Sequence, residues 1–229
     1  METNNIQPEE LSFGKKAVKW LDNFWYHYKW PTIIAAFFIA VFAICIAQAV
    51  TRSEYDMYVR YVGNAVITET QYKDMESSLE KTGGDVNGDG ESAANFAQVP
   101  YVSADEENPY KNDINAGARE TMTGMIVQPY YIYIMDKGAY EVFKGENVYT
   151  PLNQIFTEDV SDIAFDECAI YFKETEFYKN SPGMEWVKDD TVIVLKVAPF
   201  ESIITKSKRE AEIRAHEEHK EIFIEIVGK

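Results

Sequence analysis

Cysteine is nearly missing from this chain, and the two present, Cys45 and Cys168, stand in different surroundings. Cys45 lies inside a long apolar run and Cys168 in a mixed stretch far from it, so no intrachain disulfide is expected and a small disulfide-stapled fold is excluded. Cys168 reads as a small buried hydrophobe. Histidine is almost as scarce, with three in the chain. His27 stands beside the apolar run. His216 and His219 form H-E-E-H, which matches neither H-E-x-x-H nor H-x-x-E-H and reads as a solvated helix face. Positive charge is also short: 22 Lys and Arg face 38 Asp and Glu, a net charge of −16. That balance argues against nucleic acid as a partner and against docking of the acidic part on anionic lipid. No Walker loop occurs, and no G-x-G-x-x-G follows a strand pattern. The acids Glu158, Asp159, Asp162 and Asp166 read as a surface run rather than a carboxylate pair. No catalytic set is legible, so the chain is expected not to be an enzyme.

What the sequence has instead is one long uncharged stretch, Pro31 to Thr51. About 20 apolar residues cross a hydrocarbon core of roughly 30 Å as a helix. Three tryptophans and two tyrosines (Trp20, Trp25, Tyr26, Tyr28, Trp30) precede it, and such rings favour the headgroup zone. The stretch from Gly14 to Trp30 reads as an amphipathic helix on the membrane surface. Lys15, Lys16, Lys19 and Lys29 stand before the run, whereas Arg52 after it is followed at once by Glu54 and Asp56. Positive-inside logic then places the N-terminus in the cytoplasm. The expected organisation is a cytoplasmic segment at 1–31, a single membrane span at 32–50 and an extracytoplasmic domain at 51–229. Ala47-Gln48-Ala49 has the small-x-small form of a cleavage site, so a removed signal sequence is the competing reading. The acidic, aromatic segment ahead of the run favours a retained anchor.

Beyond a short tether at 51–56, β-rich and helix-periodic segments alternate. Strands are expected at 55–62, 96–102, 130–135, 168–172 and 191–197. Helices are expected at 68–82, 113–128, 139–143, 151–156 and 206–227. Thr68 is placed to cap the first of these and Gly83-Gly84 to end it. The pattern predicts an α/β domain with a mostly parallel sheet flanked by helices.

The most specific local motif is Gly83-Gly84-Asp85-Val86-Asn87-Gly88-Asp89-Gly90-Glu91. Asp85, Asn87 and Asp89 supply oxygen ligands at positions 1, 3 and 5, Gly90 permits the turn at position 6, and the Glu91 carbonyl falls at position 7. Hard oxygen donors at this spacing suit Ca²⁺, and D-x-N-x-D-G resembles the loops of EF-hands and dockerin modules. Position 12 is Phe96, which cannot ligate. The competing reading is a polar turn that ends the preceding helix. In both readings the loop is structural.

The stretch from Asp113 to Phe156 carries another resemblance. A helix leads into Tyr130-Tyr131-Ile132-Tyr133-Ile134-Met135-Asp136, then a short helix, then Pro151-Leu152-Asn153-Gln154-Ile155-Phe156. This is similar to a segment of extracellular solute-binding proteins with the type 2 periplasmic-binding fold, where a hydrophobic strand ends in Asp. The resemblance implies a one-lobed or much reduced version of that fold. With the anchor, the function expected is that of a membrane-anchored extracytoplasmic binding or interaction module, with an envelope protein or a small molecule as ligand. Trp186 leaves room for a stacking ligand. The alternative is an accessory or regulatory subunit of a membrane complex, with the aromatic segment and the span making the contacts.

Overall fold

The computed structural model describes residues 13–50, 55–145, 147–199 and 205–229, and the chain divides into two units, 1–53 and 54–229. Residues 1–12 of the expected cytoplasmic segment and 51–54 of the expected tether lie outside the described residues.

The first unit is one helix, α1 (Phe13–Val50), which continues through Pro31. No separate surface helix breaks off at Trp30. Residues Val18–Ala47 form a helical stretch long and apolar enough to cross a membrane, and none of its apolar window is buried. Thirty-eight residues make a helix about 57 Å long, well beyond a hydrocarbon core of roughly 30 Å. The excess accommodates the aromatic end, where Trp20, Trp25, Tyr26, Tyr28 and Trp30 are all exposed. Trp20, Phe24 and Tyr28 recur every four residues and stack as a ladder, with centroids 5.6 and 5.3 Å apart.

The second unit is built on β1 (Met57–Gly63), α2 (Glu69–Gly83), β2 (Ala94–Pro100), α3 (Lys111–Thr123), β3 (Ile132–Met135), α4 (Lys137–Phe143), α5 (Leu152–Ile155), β4 (Ala169–Tyr171), α6 (Glu176–Asn180), β5 (Val192–Leu195) and α7 (Lys206–Val227). The five strands form one sheet in the order β2-β1-β3-β5-β4. β1 pairs parallel with β2 and with β3, whereas β5 pairs antiparallel with both β3 and β4. The sheet is therefore mixed, which corrects the expectation of a mostly parallel one. The chain leaves β4 through a 3-10 turn, α6 and an irregular segment, and re-enters the sheet between β3 and β4 in the opposite sense. Val192–Leu195 is buried at every position, so no alternation betrays its direction.

Side chains alternate between two cores, as the pleat requires. Val59, Tyr61, Ile132, Ile134, Ile193 and Leu195 face one core, with Met75 and Leu79 of α2 and Ile222, Phe223 and Ile226 of α7. Val62, Tyr133, Met135, Val192 and Val194 face the other, with Met122 of α3 and Tyr140 of α4. Helix α2 starts on a capping box: the Thr68 hydroxyl accepts from the Gln71 amide, and the Gln71 side chain accepts from the Thr68 amide. It ends at Gly84, where φ is +64°.

Candidate functional site

Helix α2 carries the chain from β1 outward to β2 across one face of the sheet, and α3 returns it to β3 across the other. The carboxyl ends of β1 and β3 thus mark a topological switch point, where connections diverge and open a crevice in α/β sheets. Here the crevice measures about 330 Å³ and is lined from the loop after β2, the start of α4 and residues 188 and 190.

Asp136 stands at its floor, immediately after β3 and 2% exposed. It occupies the N-cap position of α4, where an aspartate ordinarily accepts from the helix amides. It makes no such cap. Its carboxylate turns to the neighbouring strand instead. Oδ1 accepts the Tyr61 hydroxyl at 2.8 Å, and Oδ2 accepts the Asn64 amide at 3.2 Å. The Lys188 ammonium lies 2.8 Å from Oδ2. Lys188 also donates to Glu106 Oε1 at 2.5 Å, and Glu106 Oε2 accepts from Asn64 Nδ2 and the Ser103 amide. Burial alone lowers the affinity of Lys188 for its proton, but the hydrogen bonds and charges of Asp136 and Glu106 outweigh it and raise its pKa. Burial likewise pushes the Glu106 carboxyl up, and Lys188, Ser103 and Asn64 together bring it below its ordinary value. Tyr61 is held firmly as the neutral phenol, by burial first and by the Asp136 charge second.

Two glycines make room for this arrangement. A Cβ on Gly63 would meet Tyr61 Oη at 2.2 Å and Asp136 Cγ at 2.5 Å. A Cβ on Gly138 would meet Ser103 Oγ at 2.2 Å. Residues 181–190 cross beside the crevice with no helix or strand of their own. Met184 and Val187 anchor that segment in the core. Trp186 packs edge-on against Tyr61 with centroids 4.8 Å apart, and its indole N–H is buried with no hydrogen-bond partner among the described residues. Two exposed apolar groups stand near these residues in sequence. Val66, two residues beyond Asn64, is 89% exposed, and Tyr110, in the loop that holds Glu106, is 69% exposed.

The predicted calcium residues lie elsewhere, between α2 and β2. Asp85 organises the loop, its carboxylate accepting the amides of Gly88, Asp89 and Gly90 at 2.7–3.1 Å. Asn87 Oδ1 accepts the Asp89 amide and Asp89 Oδ1 accepts the Glu91 amide. Gly88 and Gly90 take φ of +76° and +91°. Asp56, which sequence reasoning passed over as tether, anchors the loop from outside. Its carboxylate accepts the amides of Val86, Asn87 and Ala93 at 2.8–2.9 Å. Among the described residues, no group of three or more His, Cys, Asp or Glu is placed to hold a metal ion.

The histidines of α7 are not solvated. His216 and His219 are both buried against β3, with Tyr131 ring contacts at 5.9 and 4.8 Å. His219 Nδ1 lies 2.7 Å from the Ala215 carbonyl and Nε2 accepts the Tyr58 amide at 3.3 Å. Both ring nitrogens are engaged by the neutral tautomer with the proton on Nδ1. Burial is the main cause that pushes its pKa down to about 4. Lys196, fully buried, donates to the carbonyls of Met125, Ile126 and Gln128 at 2.6–3.3 Å and closes the 3-10 turn there. Burial lowers its pKa to about 8. Cys168 donates to the Tyr149 carbonyl, and burial followed by the charges of Asp166 and Glu167 raises its thiol pKa.

No family model, curated protein or solved structure matches the chain.

Proposed function

We propose that this chain is a membrane-anchored, extracytoplasmic binding module. α1 serves as a retained single span, with the N-terminus cytoplasmic as the preceding lysines favour. Residues 55–229 present the crevice at the carboxyl ends of β1 and β3 to a ligand or protein partner. The observation that carries this reading is the Asp136 carboxylate, which is buried at the switch point and leaves its own helix uncapped. The second unit contains one sheet, so the reading is of a single solute-binding-like lobe whose crevice is open rather than enclosed by a hinge. A binding role is further favoured by how the reactive side chains are used: Cys168 is held as the thiol, and His219 and Lys196 are committed to backbone partners.

The alternative, an accessory subunit that works through its helix, is favoured by the exposed Trp20–Phe24–Tyr28 ladder. Photo-crosslinking of the full chain in intact cells separates the two. A photoreactive residue at Val66 or Tyr110 is expected to yield a specific adduct, while one at Val127, exposed at the far end of the sheet, yields none. Adducts from Trp20 or Trp30 alone would favour the accessory subunit. No adduct from either Val66 or Tyr110 would contradict the proposed role of the crevice.

For the 83–91 loop we propose a structural role, with Ca²⁺ as its ligand through Asp85, Asn87, Asp89 and the Glu91 carbonyl. The Asx-turn bonds that gather the loop around Asp85 support this.

A further inference from the structure

At the amino ends of β1 and β3, away from the crevice, lies a separate cavity of about 520 Å³. It opens between the residues that lead into these two strands, the start of the 83–91 loop and one face of α7. On α7 the lining residues Ala211, Ala215 and Glu218 recur every three or four positions, as one helix face requires. Ala211 and Ala215 are short, and they leave space that longer side chains would fill. The walls are aromatic. Tyr55 and Tyr58 meet edge to face with centroids 5.6 Å apart and planes at 75°, so their rings make a corner. Tyr131 and His219, with ring centroids 4.8 Å apart, line the cavity as well.

The cavity is also negative. Asp56, Glu212 and Glu218 line it against Arg214, while burial keeps His219 neutral. Two of these carboxylates are committed: Asp56 accepts the amides of Val86, Asn87 and Ala93, and Glu212 accepts the Tyr131 hydroxyl. Glu218 is half-buried and makes no hydrogen bond or ion pair among the described residues. Its charge is felt at the Tyr131 phenol, whose pKa it helps to raise behind burial and Glu212. Arg214 is exposed and pairs with none of the three acids among the described residues, so Glu218 has no cation of the chain's own. One uncommitted carboxylate is too little for a hard divalent ion, which takes six or more oxygens. It is also too little for a primary ammonium with three N–H donors to satisfy. An ammonium whose hydrogens are replaced by methyl groups needs no acceptor, and aromatic faces attract it.

We propose that this cavity binds a quaternary ammonium group, with the Tyr55 and Tyr58 rings against its methyl groups and the Glu218 carboxylate facing its charge. It is a second site, and it stands or falls independently of the crevice at the other end of the strands. Free choline-type solutes and the headgroup of a choline lipid share this chemistry. Tyr55 comes five positions after Val50, the last residue of α1, so the lipid source is tested beside the soluble one.

The test uses the full chain in a maltoside detergent, choline chloride as the probe and sodium chloride at equal ionic strength as the control. Proton NMR of the choline N-methyl groups is the readout. Contact with aromatic faces moves that resonance upfield, whereas an ion pair at an exposed carboxylate does not. A saturable upfield shift is expected. Tyr55→Ala should weaken binding by about three- to thirtyfold, and Tyr55→Phe, which keeps the ring, should stay within about threefold of the parent. Glu218→Gln should weaken it by about threefold or more. Tyr55 is 45% exposed and lies outside the strands, and Glu218 has no partner to lose, so melting curves of these variants should match the parent's. The source is then read in nanodiscs. Choline binding that persists in phosphatidylglycerol discs and is lost in phosphatidylcholine discs assigns the lipid headgroup; persistence in both assigns a soluble cation. Absence of a saturable shift, a shift unchanged by Tyr55→Ala or by Glu218→Gln, or loss of binding in both discs overturns the proposal.

Discussion

Tyr61 of β1 donates its hydroxyl to Asp136 at the end of β3 across 2.8 Å, so the carboxylate at the crevice floor belongs to two strands at once. The same hydroxyl accepts the Ala65 amide at 3.2 Å, which fixes the turn that leaves β1. Ligand site and strand ends are therefore one construction, and disturbing either is felt by both.

Asp136→Asn should show this. It removes a buried charge opposite Lys188 and weakens the bonds from Tyr61 and Asn64. Loss of one partner from a buried pair is costly, and the partial exposure of Lys188 tempers it to about 1–3 kcal/mol. A urea melt of the full chain in detergent checks this. An unchanged midpoint would mean that the pair contributes nothing to stability.

Gly63→Ala and Gly117→Ala make a contrasting pair. The added methyl at Gly63 collides with Tyr61 and Asp136, a loss of about 1–3 kcal/mol. At Gly117, inside α3, it meets nothing within 4 Å, and helix propensity predicts a gain of about 0.5–1 kcal/mol. Thermal melts of the two variants should move in opposite directions.

Acid should loosen the docking of α7. The native pKa of His219 lies near 4, below its ordinary 6.5, so the native state binds fewer protons than the unfolded chain between those values. Its contribution is complete above about pH 6.5 and is lost as pH falls toward 4. The charged and titratable groups around it act together. Lys196 and His216 oppose a second positive charge, while Asp56, Glu212 and Glu218 line the adjoining pocket with Arg214, and the Tyr131 hydroxyl bonds Glu212. Hydrogen exchange across 206–227 should accelerate on going from pH 7 to pH 5 after correction for intrinsic rates. His219→Gln should flatten that dependence.

Calcium should raise the melting temperature of the full chain at millimolar concentration, and a chelator should reverse it, if the 83–91 loop takes the ion. Asp85→Ala should abolish the response. Since Asp85 also holds three loop amides, the variant lowers the calcium-free melting temperature as well. A parent chain indifferent to the ion leaves the loop as a turn that joins α2 to β2.

Local signals were enough for most of the elements. The periodicity of 206–227 coincides with α7, and Thr68 caps α2 as expected. The 113–128 pattern resolves into α3 and a separate 3-10 turn. α6 escaped because five residues hold no period. The strand at 191–197 was legible, but its direction depends on a partner chosen elsewhere in the chain. The crevice was hidden for the same reason. Asp136 stands out in the sequence only as the acid that ends a hydrophobic strand, and nothing near Trp186 or Lys188 in sequence points toward it. His216 and His219 were misread because charged neighbours on a helix conceal which face turns inward.

Sidedness decides which ligands the crevice can meet, so it is the most direct test. In a chain with Cys45 and Cys168 both replaced by Ser, single cysteines are introduced at Val66, in the second unit, and at Asn23, ahead of the apolar run. Intact cells are then treated with a membrane-impermeant maleimide. The account predicts that the membrane fraction carries label at Val66→Cys, and that Asn23→Cys labels only after permeabilisation. Label at Asn23→Cys alone, or a chain released from the membrane after the apolar run, would contradict it.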